Sequence, residues 1–576
     1  MKLPERPPED PESLGADCHA CPLKHKRTQA VLPQRPNHPA LAIIGETPSH
    51  DQEQTGSITT GGASYFLQRT LHRFGVDLRA CHKTNAILCR PDRKLSTAEW
   101  KSALTACRPR LLREFADSTA PGVLALGGRA QVVLHGKAKI LDWMGTPTNP
   151  VTKGFERWQD RTLSTLHPSR CLHTPAYGPI LTTHVGRLLD VIRGTLAPFS
   201  WPNFSWGDDT NGDLIKALER IQRRRALVCP DVETAPSDPL PFQYPASFPA
   251  WTAKEQKTWL RDFKRKRGPR ALYDRLLNIG LSDDQDMVSL HITSDPATWA
   301  KRNPRCWSLV REIITNPDHP KCYQNGPYDI LAFCALGWPL QDMLQGYVFD
   351  TLSSHALIAP GVPHNLGFQM CVETHAPRWK TIFGDAKDAS SVSKFVSADP
   401  FERAIYNARD CYSTTVCALA NMERLKTIHR GEQLNASLLA RVKIAIKMQR
   451  RGNAVDLDAL QRHRVELKQA KEDAARQLIE ACAQLDFTLT APTKREELCA
   501  LFFERLHVKP QTFSDKTGKP RLDAKMLASL LAHPNRKIAM LARLVLRFRK
   551  YQKLLSTYVD GMSLEYPKGQ TWSGGR

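Results

Sequence analysis

Four carboxylates and a tyrosine run along the middle of the chain in the order Asp231-x-Glu233, Asn325-x-x-x-Asp329 and Tyr406-x-x-x-Asp410. Four acids gathered without Lys or Arg between them repel one another, and such a cluster is tolerable mainly when it holds divalent metal. Two Mg²⁺ or Mn²⁺ ions held this way can activate a water and stabilise the leaving oxygen of a phosphodiester. A second constellation is made of thiols: Cys18-x-x-Cys21, then Cys89 before Arg90-Pro91, then Cys107 before Arg108-Pro109. A C-x-x-C pair with two distant cysteines can close a tetrahedral site, and the spacing fits structural zinc as well as an iron–sulfur cluster.

The elements that must carry the acids are legible. The apolar run Ala226 to Thr234 reads as a buried strand that delivers Asp231 and Glu233 on one face, because residues two apart in a strand point the same way. Asn325 with Asp329, and Tyr406 with Asp410, have the four-residue spacing that places two side chains on one face of a helix. Val288 to Ile292 reads as another strand, and Asp213 to Arg225 as a short helix whose terminal arginine run is an exposed charge cluster. The turn-rich, aromatic stretch Pro198 to Gly212 reads as a linker lying on a neighbouring domain, and Lys254 to Arg270 as a basic insertion suited to guiding single-stranded DNA. Leu438 to Met448 has apolar residues at helical spacing and stops at Arg450-Arg451-Gly452, a C-terminal cap.

At 576 residues the chain should hold about three or four domains. A formal charge of +23 from 81 Lys and Arg points to a polyanionic partner. No apolar run approaches the roughly 20 residues that span a bilayer, and the N-terminus lacks an apolar signal core, so the expectation is a cytoplasmic protein with no membrane partner. Fifteen scattered cysteines do not suggest a secreted disulfide scaffold.

The ordered acids with their tyrosine resemble the three exonuclease motifs of the 3′–5′ proofreading domain of family A DNA polymerases. The resemblance implies that Asp231, Glu233, Asp329 and Asp410 are metal ligands and that Tyr406 orients the attacking water. Phe349 to Thr351 and Pro363 to Leu366 fall between the motifs and are expected to pack and turn. Residues 15 to 195 resemble the iron–sulfur uracil-DNA glycosylases of family 4 through Ile44 to Pro48, Thr84 to Pro91, Leu124 to Gly127, Thr165 to Ser169 and the four cysteines. That implies a 4Fe–4S cluster on Cys18, Cys21, Cys89 and Cys107, with Cys81 a bystander. It also implies that Asn85 reads the uracil edge, His167 stabilises the leaving uracil and Glu46 positions water on a flipped base.

Two departures stand out. An ungapped alignment puts Thr59 of Gly56 to Gly61 where the family's loop carries a phenylalanine that stacks on uracil, and Ser49 replaces a glycine. Loss of the ring removes about 1–3 kcal/mol of base binding, unless Tyr65 or Phe66, which read as core residues of the following helix, supplies one. Val455 to Asp458, Lys516 to Pro520 and Arg549 to Asp560 resemble the family A segment that builds the thumb, a basic helical arm suited to backbone phosphates. None of the palm or fingers motifs follows, so the chain is not expected to polymerise by itself: it is either the front half of a split polymerase or a piece of a longer protein.

The expected fold class is α/β: a glycosylase-like α/β/α domain over 1–198, a linker over 199–224, a ribonuclease H-like exonuclease domain with a mixed sheet over 225–427, and a helical thumb-like arm over 428–576. The expected function is metal-dependent 3′–5′ exonuclease action on DNA, single-stranded or primer-template, with a front domain that recognises or excises uracil. The alternative is a non-polymerising subunit that only binds uracil or DNA and docks on a separate palm-and-fingers chain.

Overall fold

The structure is a computed structural model and describes residues 10–24, 28–92, 95–136, 140–235, 275–380, 395–451, 456–513 and 519–559. The basic insertion Lys254 to Arg270, Gly452, Val455, Lys516 to Gly518 within the stretch Lys516 to Pro520, and everything from Asp560 on lie outside these residues. The chain divides into two compact units, the first reaching Ile446 and the second taking up the chain from Lys447.

In the first unit a five-stranded sheet has the order β2-β1-β3-β5-β4, with β1 Ala42–Gly45, β2 His82–Asn85, β3 Val123–Leu126, β4 Pro147–Thr148 and β5 Thr162–Thr165. All pairings are parallel except the short edge pair β4 with β5. Every residue of β1, β2, β3 and β5 is buried, as a parallel sheet covered on both faces requires. The covering helices are α1 His50–Thr55, α2 Gly62–His72, α3 Thr97–Ala116, α4 Gly128–His135, α5 Ile140–Trp143, α6 Pro168–His173 and α7 Gly178–Arg193. The chain leaves β1 toward β2 on one side while β3 lies on the other. The carboxyl ends of β1 and β3 therefore open a crevice at a reversal of strand order, the place where open α/β sheets bind ligands.

A second sheet has the order β6-β9-β8-β7: β6 Asn203–Gly207, β7 Cys229–Ala235, β8 Arg275–Ser282 and β9 Asp286–His291. It is mixed, since β7, β8 and β9 are antiparallel neighbours while β6 runs parallel to β9. A parallel pair, β10 Lys321–Tyr323 and β11 Tyr347–Asp350, continues it through a bridge from Val228 to Lys321. The stretch expected as a linker is thus built into this layer. Residues 203–207 form a strand of the sheet, and α8 Gly212–Arg224 buries Leu214, Leu218 and Ile221 against it. Of the arginines ending α8, Arg223 and Arg225 are exposed as expected, and Arg224 is not. Arg224 reaches Asp283 and Asp286 at 2.7 and 2.6 Å, and so clasps the turn between β8 and β9.

The segment that follows β11 packs into the core of the first sheet: Val362, Phe368, Cys371 and Val372 lie against Leu124, Leu163 and Leu181. Arg187 of α7 donates to the carbonyls of Cys371 (2.9 Å) and Val372 (3.0 Å), and Thr146 donates to that of Ala376 (2.8 Å). The two arginine bonds satisfy carbonyls at the end of the helix Leu366–Glu373 that have no partner within it. The helix Gly431–Arg451, expected to open the thumb-like arm, places Leu439 and Ile446 in the core of the second sheet.

The second unit is helical. Leu457–Ala483 and Arg536–Lys553 enclose a core that includes Leu478, Phe502, Leu527, Leu541 and Val545. Among the described residues no helix is long and apolar enough to cross a membrane.

Candidate functional sites

The crevice of the first sheet contains a cavity of about 280 Å³ whose lining includes Glu46, Asn85 and His167. All three follow from strand register. Gly45 pairs with Asn85 at the ends of β1 and β2, Glu46 is the next residue, and His167 lies two residues beyond β5. Gly127 takes φ +94°, and a Cβ there would strike the Glu46 carboxylate, which explains the glycine that follows β3. Glu46 Oε1 accepts the backbone N–H of Arg129 at 3.0 Å, and the Arg129 guanidinium stands 3.6 Å from Oε2. A carboxylate at the start of α4 is thereby fixed by a peptide donor and a cation.

His167 is the N-cap of α6, and its Nδ1 accepts the backbone N–H of Ser169 at 3.3 Å. Burial lowers its pKa, against the opposing pull of Glu46. A neutral imidazole whose Nδ1 accepts carries its proton on Nε2, where it can be donated. Asn85 is held from behind. Arg110 donates to its carbonyl and, at 3.2 Å, to that of Ala86, while pairing with Glu114 at 2.6 Å. His82 and Thr84, on the opposite face of β2 from Asn85, complete that buried network through Glu114 at 2.7 and 3.1 Å.

Among the described residues no Phe, Tyr or Trp lines the cavity; Ile58 and Pro168 are there instead. Tyr65 is 63% exposed, and Phe66 packs into the core beside Gly178. Ser49 has a structural role, since it caps α1 in a reciprocal pair with Gln52.

Three of the four cysteines meet beside this sheet. Cys89 and Cys107 share a small apolar core with Leu23 and Ile87, and Cys21 packs against it. The backbone N–H of Asp17 donates to the carbonyl of Ala106 at 2.9 Å, tying the turn that carries Cys18 to α3. Thiols beside an apolar core have the donor chemistry of either soft metal centre that the spacing allows. Cys81 is buried elsewhere, in the core under α2.

In the second sheet Asp231 and Glu233 alternate with Val232 on β7, and the long helix Pro400–Lys426 presents Tyr406 and Asp410 one turn apart. Asp231, Glu233 and Asp410 bring carboxylate oxygens within 4.8 Å of one another. Asp329, in the first turn of the helix Pro327–Ala335, accepts the N–H of Val232 at 3.1 Å. Burial, then the neighbouring acids, push Asp231 far above the usual carboxylate range and Glu233 to about 8. Asp329 rises to about 7, chiefly through burial. Such a set accepts divalent cations, which reverse the sign of the local field.

Two expectations about this region are corrected. The acids are not without a cation: Lys380 stands 2.7 Å from Asp410 Oδ2 and 5.4 Å from the Tyr406 ring. Asn325 does not share a helical face with Asp329, because it precedes the helix at φ +66°, a left-handed conformation that asparagine tolerates. Asp350 is a helix cap that also accepts the N–H of Gly326 at 3.1 Å and so braces the helix bearing Asp329.

Several residues at these sites carried no sequence signal of their own. Asn407 donates to Asp231 Oδ2 at 2.8 Å, and Trp379 donates its indole N–H to Asp410. Trp201, from the stretch expected as a linker, packs edge-on against Trp379 at 5.7 Å and Tyr412 at 5.6 Å. Asn407 could have been noticed beside Tyr406, whereas Trp201, Trp379 and Lys380 meet the acids only through folding.

The part of the chain that holds this crevice has recognisable relatives. Residues 33–181 match the model of the Uracil DNA glycosylase superfamily, and this part of the chain is a domain of that superfamily. The type-4 uracil-DNA glycosylase of Pyrobaculum aerophilum is 27% identical over 168 residues, 28% of this chain and 83% of the relative. That of Saccharolobus solfataricus is 23% identical over 205 residues, 34% of this chain and 90% of the relative. Among solved structures, the POL domain of Pol1 from M. smegmatis, in complex with DNA primer-template and dNTP, aligns with a TM-score of 0.40 and 16% identity. That alignment covers 62% of this chain and 50% of the other.

Proposed function

We propose that this is a DNA-processing protein of replication or repair with two chemistries in one compact unit: recognition and excision of uracil in the first sheet, and metal-dependent 3′–5′ exonuclease action in the second. The observation that carries the first is the meeting of Glu46, Asn85 and His167 around one cavity at the carboxyl ends of parallel strands. A flipped uracil would present its edge to Asn85. The Nε2–H of His167 would donate to a carbonyl oxygen as charge moves onto the leaving base, and Glu46 would hold the attacking water and take its proton.

The carboxylate trio on β7 and the long helix supports the exonuclease, with Asp231, Glu233, Asp329 and Asp410 as the metal-holding set. Two divalent ions bound there would activate water and neutralise the leaving oxygen. Within that frame the phenol of Tyr406 orients water, Asn407 and Trp379 fix two of the carboxylates, and Lys380 offers charge to the phosphate. Cys18, Cys21, Cys89 and Cys107 would hold an iron–sulfur cluster that ties the first residues to α3.

A second reading, uracil binding without excision, draws on one observation, a cavity lining without Phe, Tyr or Trp among the described residues. One assay separates the readings. A 5′-labelled single strand with one internal uracil is incubated with Mg²⁺ or with EDTA and then treated with alkali. The expected result is laddering only with Mg²⁺ and an alkali-dependent break at uracil in EDTA. A ladder without that break makes the front domain a reader, and laddering in EDTA overturns the metal assignment.

A further inference from the structure

Lys83 is a charge in the crevice that the proposed chemistry leaves unused. It lies on β2 two residues before Asn85, so both side chains project from the same face of the strand. It lines the same cavity as Asn85, as do Ile43, Leu67 and Leu78. The residue is 4% exposed, and its Nζ has no hydrogen-bond partner among the described residues; nor has Asn85 Nδ2. An isolated buried ammonium is costly and is normally paired. Two buried donors without acceptors, aimed into one cavity, define a ligand by what they lack: it must bring acceptor oxygens.

Resting on the reading of this cavity as a base pocket, we propose that Lys83 is a base-reading residue that donates from Nζ to a ring carbonyl oxygen of the flipped base. The pocket would thereby select pyrimidines rich in carbonyl groups over those carrying an exocyclic amine. An ammonium attracts a carbonyl oxygen and repels an amino group, which is itself a donor. The contact would also contribute some of the affinity that a stacking ring supplies elsewhere. Burial lowers the Lys83 pKa to about 8, with Cys81 and Asp77 the nearest groups opposing that shift, so the amine remains mostly protonated at neutral pH.

The proposal separates stability from binding. Lys83→Met keeps the length of the side chain and removes an unpaired charge. The full chain carrying it should therefore melt no lower than wild type, while its uracil affinity falls. The probe is a single strand with one 2′-fluorinated deoxyuridine, whose glycosidic bond resists cleavage, compared in EDTA with the same strand carrying cytosine or thymine. The variant should lose at least about tenfold in preference for the uracil strand over the cytosine strand, the worth of one hydrogen bond to a charged donor. Asn85→Ala serves as the control for the pocket itself. If wild type shows no preference for the uracil strand, the base-pocket reading and the inference both fall. If Asn85→Ala loses the preference while Lys83→Met keeps it, the inference alone is overturned. A Lys83→Met protein that melts lower and keeps its preference likewise assigns Lys83 to the fold and not to the base.

Discussion

The two sites solve opposite electrostatic problems within one compact unit. The crevice of the first sheet holds donors short of acceptors: the buried Lys83 Nζ and Asn85 Nδ2 are unpaired among the described residues, and the neutral His167 carries its proton on Nε2. The cluster on β7 and the long helix is the reverse, with acceptors crowded together around Lys380, and burial lifts Glu233 to about 8 and Asp329 to about 7. On the proposed reading the first site takes a neutral base that brings oxygens, and the second takes cations. The difference teaches that burial is common to both and that the sign of the missing partner distinguishes them. It also explains why each site tolerates one residue of the wrong sign: Glu46 is pinned by Arg129, and Lys380 by Asp410.

The contrast can be broken most sharply by removing an acid. Asp231→Ala or Asp410→Ala should abolish degradation in a gel assay while uracil-strand binding stays intact, and retained degradation by either variant would remove the metal site from the account. His167→Ala should lower single-turnover uracil release by about 10²- to 10⁴-fold, the usual worth of a positioned proton donor, without changing the exonuclease rate. Trp379→Phe, which deprives Asp410 of its indole donor, should cost about 10- to 100-fold in exonuclease rate or metal affinity, and wild-type kinetics would show the indole to be mere packing.

A smaller effect tests the sign of the charge problem. Glu233 has a folded pKa of about 8 against an ordinary value of 4.5, and Asp329 one of about 7 against 3.8. In the metal-free protein the folded state therefore holds protons that the unfolded state has released. Below about pH 4 these groups are protonated in both states and leave stability unchanged, and they remove stability progressively as pH rises from about 4 through 8. Glu233→Gln should accordingly raise Tm in EDTA at about pH 8.5 more than at about pH 5, and the gain should disappear in Mg²⁺. An equal gain at both pH values would mean that the carboxyl is not held protonated. The smallest effect belongs to Trp201→Ala, which should lower Tm modestly and loosen Trp379 without touching uracil binding.

Much of both sites was legible because spacing along one element is local information. Asp231 and Glu233 on a strand and Tyr406 and Asp410 on a helix needed only periodicity, whereas Glu46 and Asn85 came from the resemblance of their motifs to a known family, and their place at strand ends from the structure. Ser49 was legible as a departure but not as what it is, a helix cap chosen for its hydroxyl. The stretch 198–212 was misread because turn formers and aromatics dominate it, whereas the helix expected after it, Asp213 to Arg225, is present as Gly212–Arg224. Its strand β6 is held by a partner, β9, that lies far along the chain, and no local pattern reports such a partner.

The sequence by itself determined the residue types at each site, the elements that carry them and the +23 charge that suits a polyanion. The tertiary structure alone decided what surrounds them: that Lys380 and Trp379 close on Asp410, that Trp201 backs Trp379, that Lys83 shares a cavity with Asn85, and that no described Phe, Tyr or Trp replaces the ring absent at Thr59. The physical reason is range. Backbone periodicity acts over a few residues, whereas burial, charge pairing and the lining of a cavity depend on which distant segments fold against one another.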